Sequence, residues 1–267
     1  MLQYRDIKSA FQDLGLQRSD TAIVYTSSRM IPRVKGGGNT ILGAILAGID
    51  NIVMPSFTFK TMIIPEVGPL ENQIDYGSGR IQNLNAHIYT PDLPADYEDR
   101  EISELFRQYP DVTRSSHPIH SFLGLGLDAA LAQQTCEAPY GHIEYLYGKG
   151  VRILLLDKDP SAIFSLHYCE YKSGRRQYTR WAMTAAGVKV CSSFPGCSLG
   201  FSKILYHMNG NFEQVHVEDM VFTSIPMDSL IDKGLQILRR DPFSLLCNDL
   251  HCERCNQIRQ DIRQGIK

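Results

Sequence analysis

Residues 151–157 read VRILLLD, with Ile153 to Leu156 uninterrupted by any polar side chain. A strand without polar alternation has no face for water, so it has to lie inside a sheet that is covered. Two further short runs behave alike: TAIVYTSS (21–28), ending in small hydroxyl residues, and NIVMPSFTF (51–59), closed by Pro55. Between them, VKGGGNTILGAILAGI (34–49) passes from a glycine-rich loop into an apolar helix, whose N-cap is expected at Asn39 or Thr40. Strand, loop, helix, strand is the βαβ unit, and the chain is expected to be an α/β fold.

The remaining segments fill in that frame. Ile7, Ala10, Phe11 and Leu14 mark one face of an N-terminal helix that stops at Gly15. Residues 66–100 show little periodicity and many Gly, Pro, Asn and Asp residues, so a long surface loop is expected there; loops of that length are usually functional. EISELFRQYP is a short helix, HSFLGLGLDAALAQQ a strand running into a helix, and MDSLIDKGLQILRRDP another helix. QYTRWAMTAAGVKVCSSFP and QVHVEDMVFTSIP supply more strands, and 245–267 is a polar, cysteine-rich tail. With no repeat, linker or boundary, residues 1–267 are expected to form one α/β domain with a long inserted loop.

Charge narrows the function. The 27 Lys and Arg against 29 Asp and Glu give a net charge of -2, with a pI near 6.4, which is no footprint for nucleic acid. MLQYRDIKSAFQDLG is charged every few residues and lacks the apolar region of a signal peptide. No run approaches the roughly 18 apolar residues of a membrane span. A cytoplasmic location without membrane contact is expected. The seven cysteines are an odd, scattered set that reads as free thiols or a metal site rather than a disulfide framework.

Four clusters bear chemistry. In DPSAIFSLHYCEYKSG (159–174), Asp159 reads as N-cap with Pro160 at the first helical position, so His167 and Glu170 fall at i and i+3, about two turns into a helix. Behind a parallel strand, such a helix begins at the crevice where α/β sheets bind ligands. The pair is either a general base with its carboxylate or an ion pair on a solvated face. Cys169 falls on another face and reads as core. TRSSHPIHS (113–121) is a rigid, donor-rich turn, fit either for a phosphate or amide ligand or merely for closing a strand. TSSRMIPRVKGGGNT (26–40) puts hydroxyls and basic residues before a helix N-terminus, a weak phosphate signal that matches neither the P-loop nor GxGxxG. In CNDLHCERC, Cys247, His251, Cys252 and Cys255 are one set of zinc ligands in tetrahedral number, though structural zinc usually joins two separated ligand pairs; a reduced thiol cluster is preferred over zinc here.

Together, TSSRM…GGGNTILGAIL with VMPSFTF, LFRQYPDVTRSSHPIHSFLGLG, and ILLLD…SLHYCEY resemble the aminoglycoside 3-N-acetyltransferases, or antibiotic N-acetyltransferases, over residues 1 to about 185. The resemblance implies a central mixed sheet flanked by helices, distinct from the GNAT fold. It implies acetyl transfer from acetyl-CoA, as co-substrate, directly to an amine of an acceptor, with antibiotic resistance as a role when that acceptor is an aminoglycoside and the 3-amino group is attacked. Carried over, His167 is the general base and Glu170 its orienting carboxylate, with no acyl-enzyme. CoA would lie along Ser27, Ser28, Gly36 and Gly37 and the loop with Arg114, Ser115, Ser116, His117 and Ser121, the same loop supplying donors to the thioester oxygen. The 66–100 region would be the acceptor side, where Asp96, Glu98, Asp99 and Glu101 would attract a cationic amine.

Many relatives read H-S-S where this chain has Thr26, Ser27 and Ser28, and Arg29 stands at a usually apolar position. Both departures bear on how CoA sits, and the 66–100 region lacks a matching pattern, so the acceptor is open, another metabolic amine included; the oligomeric state is open too, a homodimer included. Two further readings remain: a metal-dependent hydrolase using His117, His120, His167 and Glu170 as ligands, and a non-catalytic assembly protein whose zinc-bearing tail contacts a partner.

Overall fold

Three central strands run parallel: β1 (Thr21–Thr26), β2 (Asn51–Pro55) and β6 (Arg152–Leu156), with β1 paired in the middle to both others. The structure, a computed structural model, describes residues 1–265. Antiparallel strands extend both edges, giving a seven-stranded mixed sheet in the order β4-β5-β2-β1-β6-β10-β9, where β4 is Thr113–Arg114, β5 Phe122–Leu125, β9 Glu213–Val217 and β10 Met220–Pro226. A second sheet, β3-β7-β8, joins Met62–Ile63, Tyr178–Thr184 and Gly187–Phe194.

The uninterrupted apolar runs follow from burial on both faces. Ala22 and Val24 of β1, with Leu154 and Leu156 of β6, meet Ile7, Phe11, Ile41, Ile45 and Phe106 on one side. Ile23, Tyr25, Ile153 and Leu155 meet Phe164, Leu166, Leu230 and Ile231 on the other. Each Val, Leu, Ile or Phe among them contributes about 1.5–3 kcal/mol by leaving water. The first helix, Tyr4–Asp13, closes as expected: Gly15 takes φ 69°, and the N–H groups of Gly15 and Leu16 bond the carbonyls of Gln12 and Phe11.

Two expected boundaries move. The helix after the glycine run is Gly37–Gly48, so Asn39 and Thr40 sit inside its first turn and Gly36 is the N-cap, at φ 85°. Thr40 Oγ1 fills the space that a Cβ on residue 36 would need, which leaves glycine as the residue that fits. Nor is 159–174 one helix. Asp159 accepts the Ser161 N–H at 2.8 Å and caps only a 3-10 turn, Pro160–Ala162; extended Ile163 follows, and the α-helix is Ser165–Lys172. The break buries Ile163 and lets the Phe164 N–H donate to the Tyr25 hydroxyl at 3.0 Å.

The 66–100 excursion is tied to the second sheet rather than loose. Asn72 receives the Thr179 N–H at 2.7 Å and donates to its carbonyl at 2.9 Å, and the Tyr89 N–H bonds Met183 O at 2.9 Å. The tail forms helix Glu253–Gln264; its last two residues lie outside the described ones. Among the described residues, no helix is long and apolar enough to cross a membrane.

Candidate active site

The carboxyl ends of β1, β2 and β6 open on one cavity of about 260 Å³, bordered by Thr26, Pro55 and, past the end of β6, Lys158. His167 reaches it from the first turn of helix Ser165–Lys172. It sits there, rather than two turns in, because the helix starts late.

His167 Nδ1–H donates to Glu170 Oε2 at 2.6 Å, and the other oxygen, Oε1, accepts Arg175 Nη1–H at 2.6 Å. Arg175 is fixed in turn by Nη2–H bonds to Pro242 O at 2.6 Å and Ser244 O at 2.8 Å. Both Glu170 and the Arg175 side chain are almost wholly buried. The His167 ring packs on Phe201, 4.7 Å between centroids, and edge-on against Phe164. With both carboxylate oxygens accepting, the ring proton belongs on Nδ1, and Nε2 keeps its lone pair for the cavity.

The 113–121 turn is spent inside the fold. Arg114 donates to Ser121 Oγ at 3.0 Å, to Ser56 O at 2.6 Å, to Pro91 O at 3.1 Å and to Leu93 O. Ser115 bonds Gln134 at 2.6 Å and accepts the Phe122 N–H, and Ser121 donates to Ser56 O. His117 Nδ1 accepts the N–H groups of Ile119 and His120. Only Ser116 of the five named residues is exposed, and none lines the cavity. The turn closes a strand, and these side chains make internal bonds.

Burial pushes His117 down to about 4 and His120 well below the usual histidine range. His120 lines the cavity, stacked 4.8 Å from Phe194. His117, His120, His167 and Glu170 are not brought together as a metal site: among the described residues, the grouping of this kind is made of cysteines.

The remaining predicted residues divide. Ser27 is buried and its hydroxyl accepts the Arg29 N–H at 3.3 Å. Ser28 binds the acidic segment, its N–H on Asp99 Oδ1 at 2.7 Å and its hydroxyl on Glu101. Gly36 and Gly37 stand at the start of their helix, outside the cavity wall. Asp96 accepts the N–H groups of Phe59 and Lys60, both at 2.7 Å, and so caps a turn; neither it nor Glu101 lines the cavity. Glu98 and Asp99 do line it. Burial opposes ionisation of Asp99, but the paired Lys158 ammonium and the Ser28 N–H outweigh it and hold the carboxyl below its usual range.

Reading the sequence missed Arg175, Tyr97, Phe194 and Arg254. Tyr97 bonds Pro55 O at 3.1 Å and Ser103 at 2.8 Å across the cavity wall. Arg175 stood one residue past Gly174, in plain view, but nothing local says that it folds back on Glu170.

Residues 23–238 match the family described as aminoglycoside 3-N-acetyltransferase. Aminoglycoside N(3)-acetyltransferase IX of Micromonospora chalcea is 31% identical over 175 residues, 61% of this chain and 60% of that protein. The matched part thus spans about three fifths of that relative's length. YokD of Bacillus subtilis has the same fold, with TM-score 0.75 over 90% of this chain and 100% of that one at 22% identity. So has AAC-IIIb, solved as a binary complex with CoASH, with TM-score 0.72 over 89% of this chain and 96% of that one at 16% identity.

Proposed function

This chain belongs to the aminoglycoside 3-N-acetyltransferase family, and from that premise we propose that it transfers the acetyl group of acetyl-CoA to an amine, with His167 as general base and Glu170 as its orienting carboxylate. The observation that carries the reading is the chain Arg175–Glu170–His167, which fixes the tautomer of a ring lining the cavity. An alkyl amine is largely protonated at neutral pH and attacks a thioester only after losing a proton. With that first proton lost to solvent, the neutral amine nitrogen bonds the thioester carbonyl carbon and Nε2 takes a second proton from it, which leaves the amide N–H. The C–S bond then breaks, the CoA sulfur leaves with the electron pair, and the imidazolium returns a proton to it. Cys169 takes no part: it is fully buried, and burial pushes its thiol up.

Acetyl-CoA enters beside the Ser28–Gly37 turn, where Arg29 and Lys35 are exposed and suited to its phosphates. The acceptor amine lies by Glu98, whose exposed carboxylate favours a cation while Asp99 beside it is held by Lys158, and the 3-amino group of an aminoglycoside is the first candidate. A smaller metabolic amine is the second, because a cavity of about 260 Å³ falls below the roughly 300–1,000 Å³ usual for ligand pockets.

Free-thiol release from acetyl-CoA, followed with aminoglycosides, amino sugars and simple amines beside His167→Ala, tests the reading. Release that vanishes in the variant is expected. Release that survives in the variant overturns the base, and silence across the panel without CoA binding overturns the activity.

A further inference from the structure

The CxxC of the tail gains a partner from far upstream. Cys197 lies on the strap between β8 and the turn Leu199–Lys203, and it folds against Cys247, Cys252 and Cys255. The four Sγ atoms lie within 4.8 Å of one another, with Cys247 and Cys255 at 3.4 Å. A zinc ion with Zn–S bonds of about 2.3 Å holds tetrahedral thiolates roughly 3.8 Å apart, so the spacing already fits. A disulfide would need paired sulfurs at about 2.05 Å, and all four thiols are free, with Cys247 and Cys255 at 3.4 Å. We propose that Cys197, Cys247, Cys252 and Cys255 form a structural zinc site, and that His251, named from sequence as the fourth ligand, takes no part. Its side chain is exposed, while its N–H closes a turn on Asp249.

Three further observations agree. Four thiolates around Zn²⁺ carry two net negative charges, and three cations lie on the ligand-bearing loops: Arg259 donates to Cys247 O, Lys203 to Leu246 O at 3.1 Å, and Arg254 to Gly196 O at 3.5 Å. Among the described residues, the cluster has, apart from the cysteines, Leu246, Ile258 and Ile262 to hold the last helix, a small apolar core of the kind that needs a staple. Cys197 and Cys252 also line an open surface groove, which gives the ion an entry path. Binding takes up one Zn²⁺ and releases to solvent the protons of whichever thiols are not yet ionised. Pro195, Gly196, Ser198 and Arg254, which border the ligands, also line the active cavity. The ion therefore sets one wall of that cavity without touching reactants.

The test is elemental analysis of the intact chain purified from zinc-supplemented cells, together with Co²⁺ substitution. One zinc per chain is expected, and the cobalt form should show thiolate-to-metal charge transfer and intense tetrahedral bands. Cys197→Ser should lose the ion, whereas His251→Ala and Cys136→Ser should keep it. Protein without metal, a disulfide among the four cysteines by mass spectrometry, or iron in place of zinc would overturn the site. Loss of metal in His251→Ala with retention in Cys197→Ser would overturn the ligand set. None of these readings depends on turnover, so the site stands or falls apart from the acetyl transfer.

Discussion

At the scale of single residues, the cavity depends on one buried charge relay. His167→Ala should lower kcat by about 10²- to 10⁴-fold while leaving acetyl-CoA affinity within error, read by thiol release and by calorimetric titration. Arg175→Ala is expected to act first on stability: it leaves the Glu170 carboxylate buried without its cation, a loss of about 3–5 kcal/mol, measurable as a denaturant midpoint. Arg175→Lys keeps the charge but loses the planar fork, so the fold should survive while kcat drops and KM for acetyl-CoA hardly changes. The His167–Glu170 pair was legible because i, i+3 spacing puts two residues on one helix face. The acidic set was half legible: composition shows that carboxylates crowd 96–101, but only tertiary contacts show that Asp96 is consumed by backbone N–H groups while Glu98 and Asp99 face the cavity.

Among the elements, close approach decides positions that propensity leaves free. Helix Ser165–Lys172 crosses helix Met227–Arg240 at Gly234, where an added Cβ would stand 2.9 Å from Cys169 Sγ. Gly234→Ala should therefore destabilise by about 1–3 kcal/mol despite its better helix propensity, and Cys169→Ala beside it should recover part of the loss in a double-mutant cycle. The parallel strands were legible because covering both faces leaves no polar alternation. The break at Ile163 was not, since Pro160 and Asp159 are equally good openings for an α-helix and a 3-10 turn, and burial of Ile163 and Phe164 arbitrates. The contacts of 113–121 were also hidden: the same hydroxyls and guanidinium suit a ligand or an internal tie, and the carbonyls of Ser56 and Leu93 that Arg114 meets are distant in sequence.

For the whole molecule, the buried imidazoles set the response to acid. Burial lowers His117 to about 4 and His142 to about 3, and pushes His120 well below its usual range. An unfolded histidine titrates near 6.5. Below that pH the unfolded chain binds protons that the folded chain refuses, so stability falls as pH drops from about 6.5 toward 4, by up to about 1.4 kcal/mol per unit for each histidine. Among the described residues, His142 has no hydrogen-bond partner on either nitrogen, and it packs 4.4 Å from Phe122 between centroids. His142→Leu should therefore make the pH dependence shallower between 4 and 6, seen in urea midpoints across that range.

The carbonyls that hold Arg175 belong to Pro242 and Ser244, beyond helix Met227–Arg240. During synthesis, His167 and Glu170 leave the ribosome long before them. The nascent chain can pair its imidazole and carboxylate early, but Arg175 gains these two carbonyls only once residues 242–244, past the last strand, have emerged.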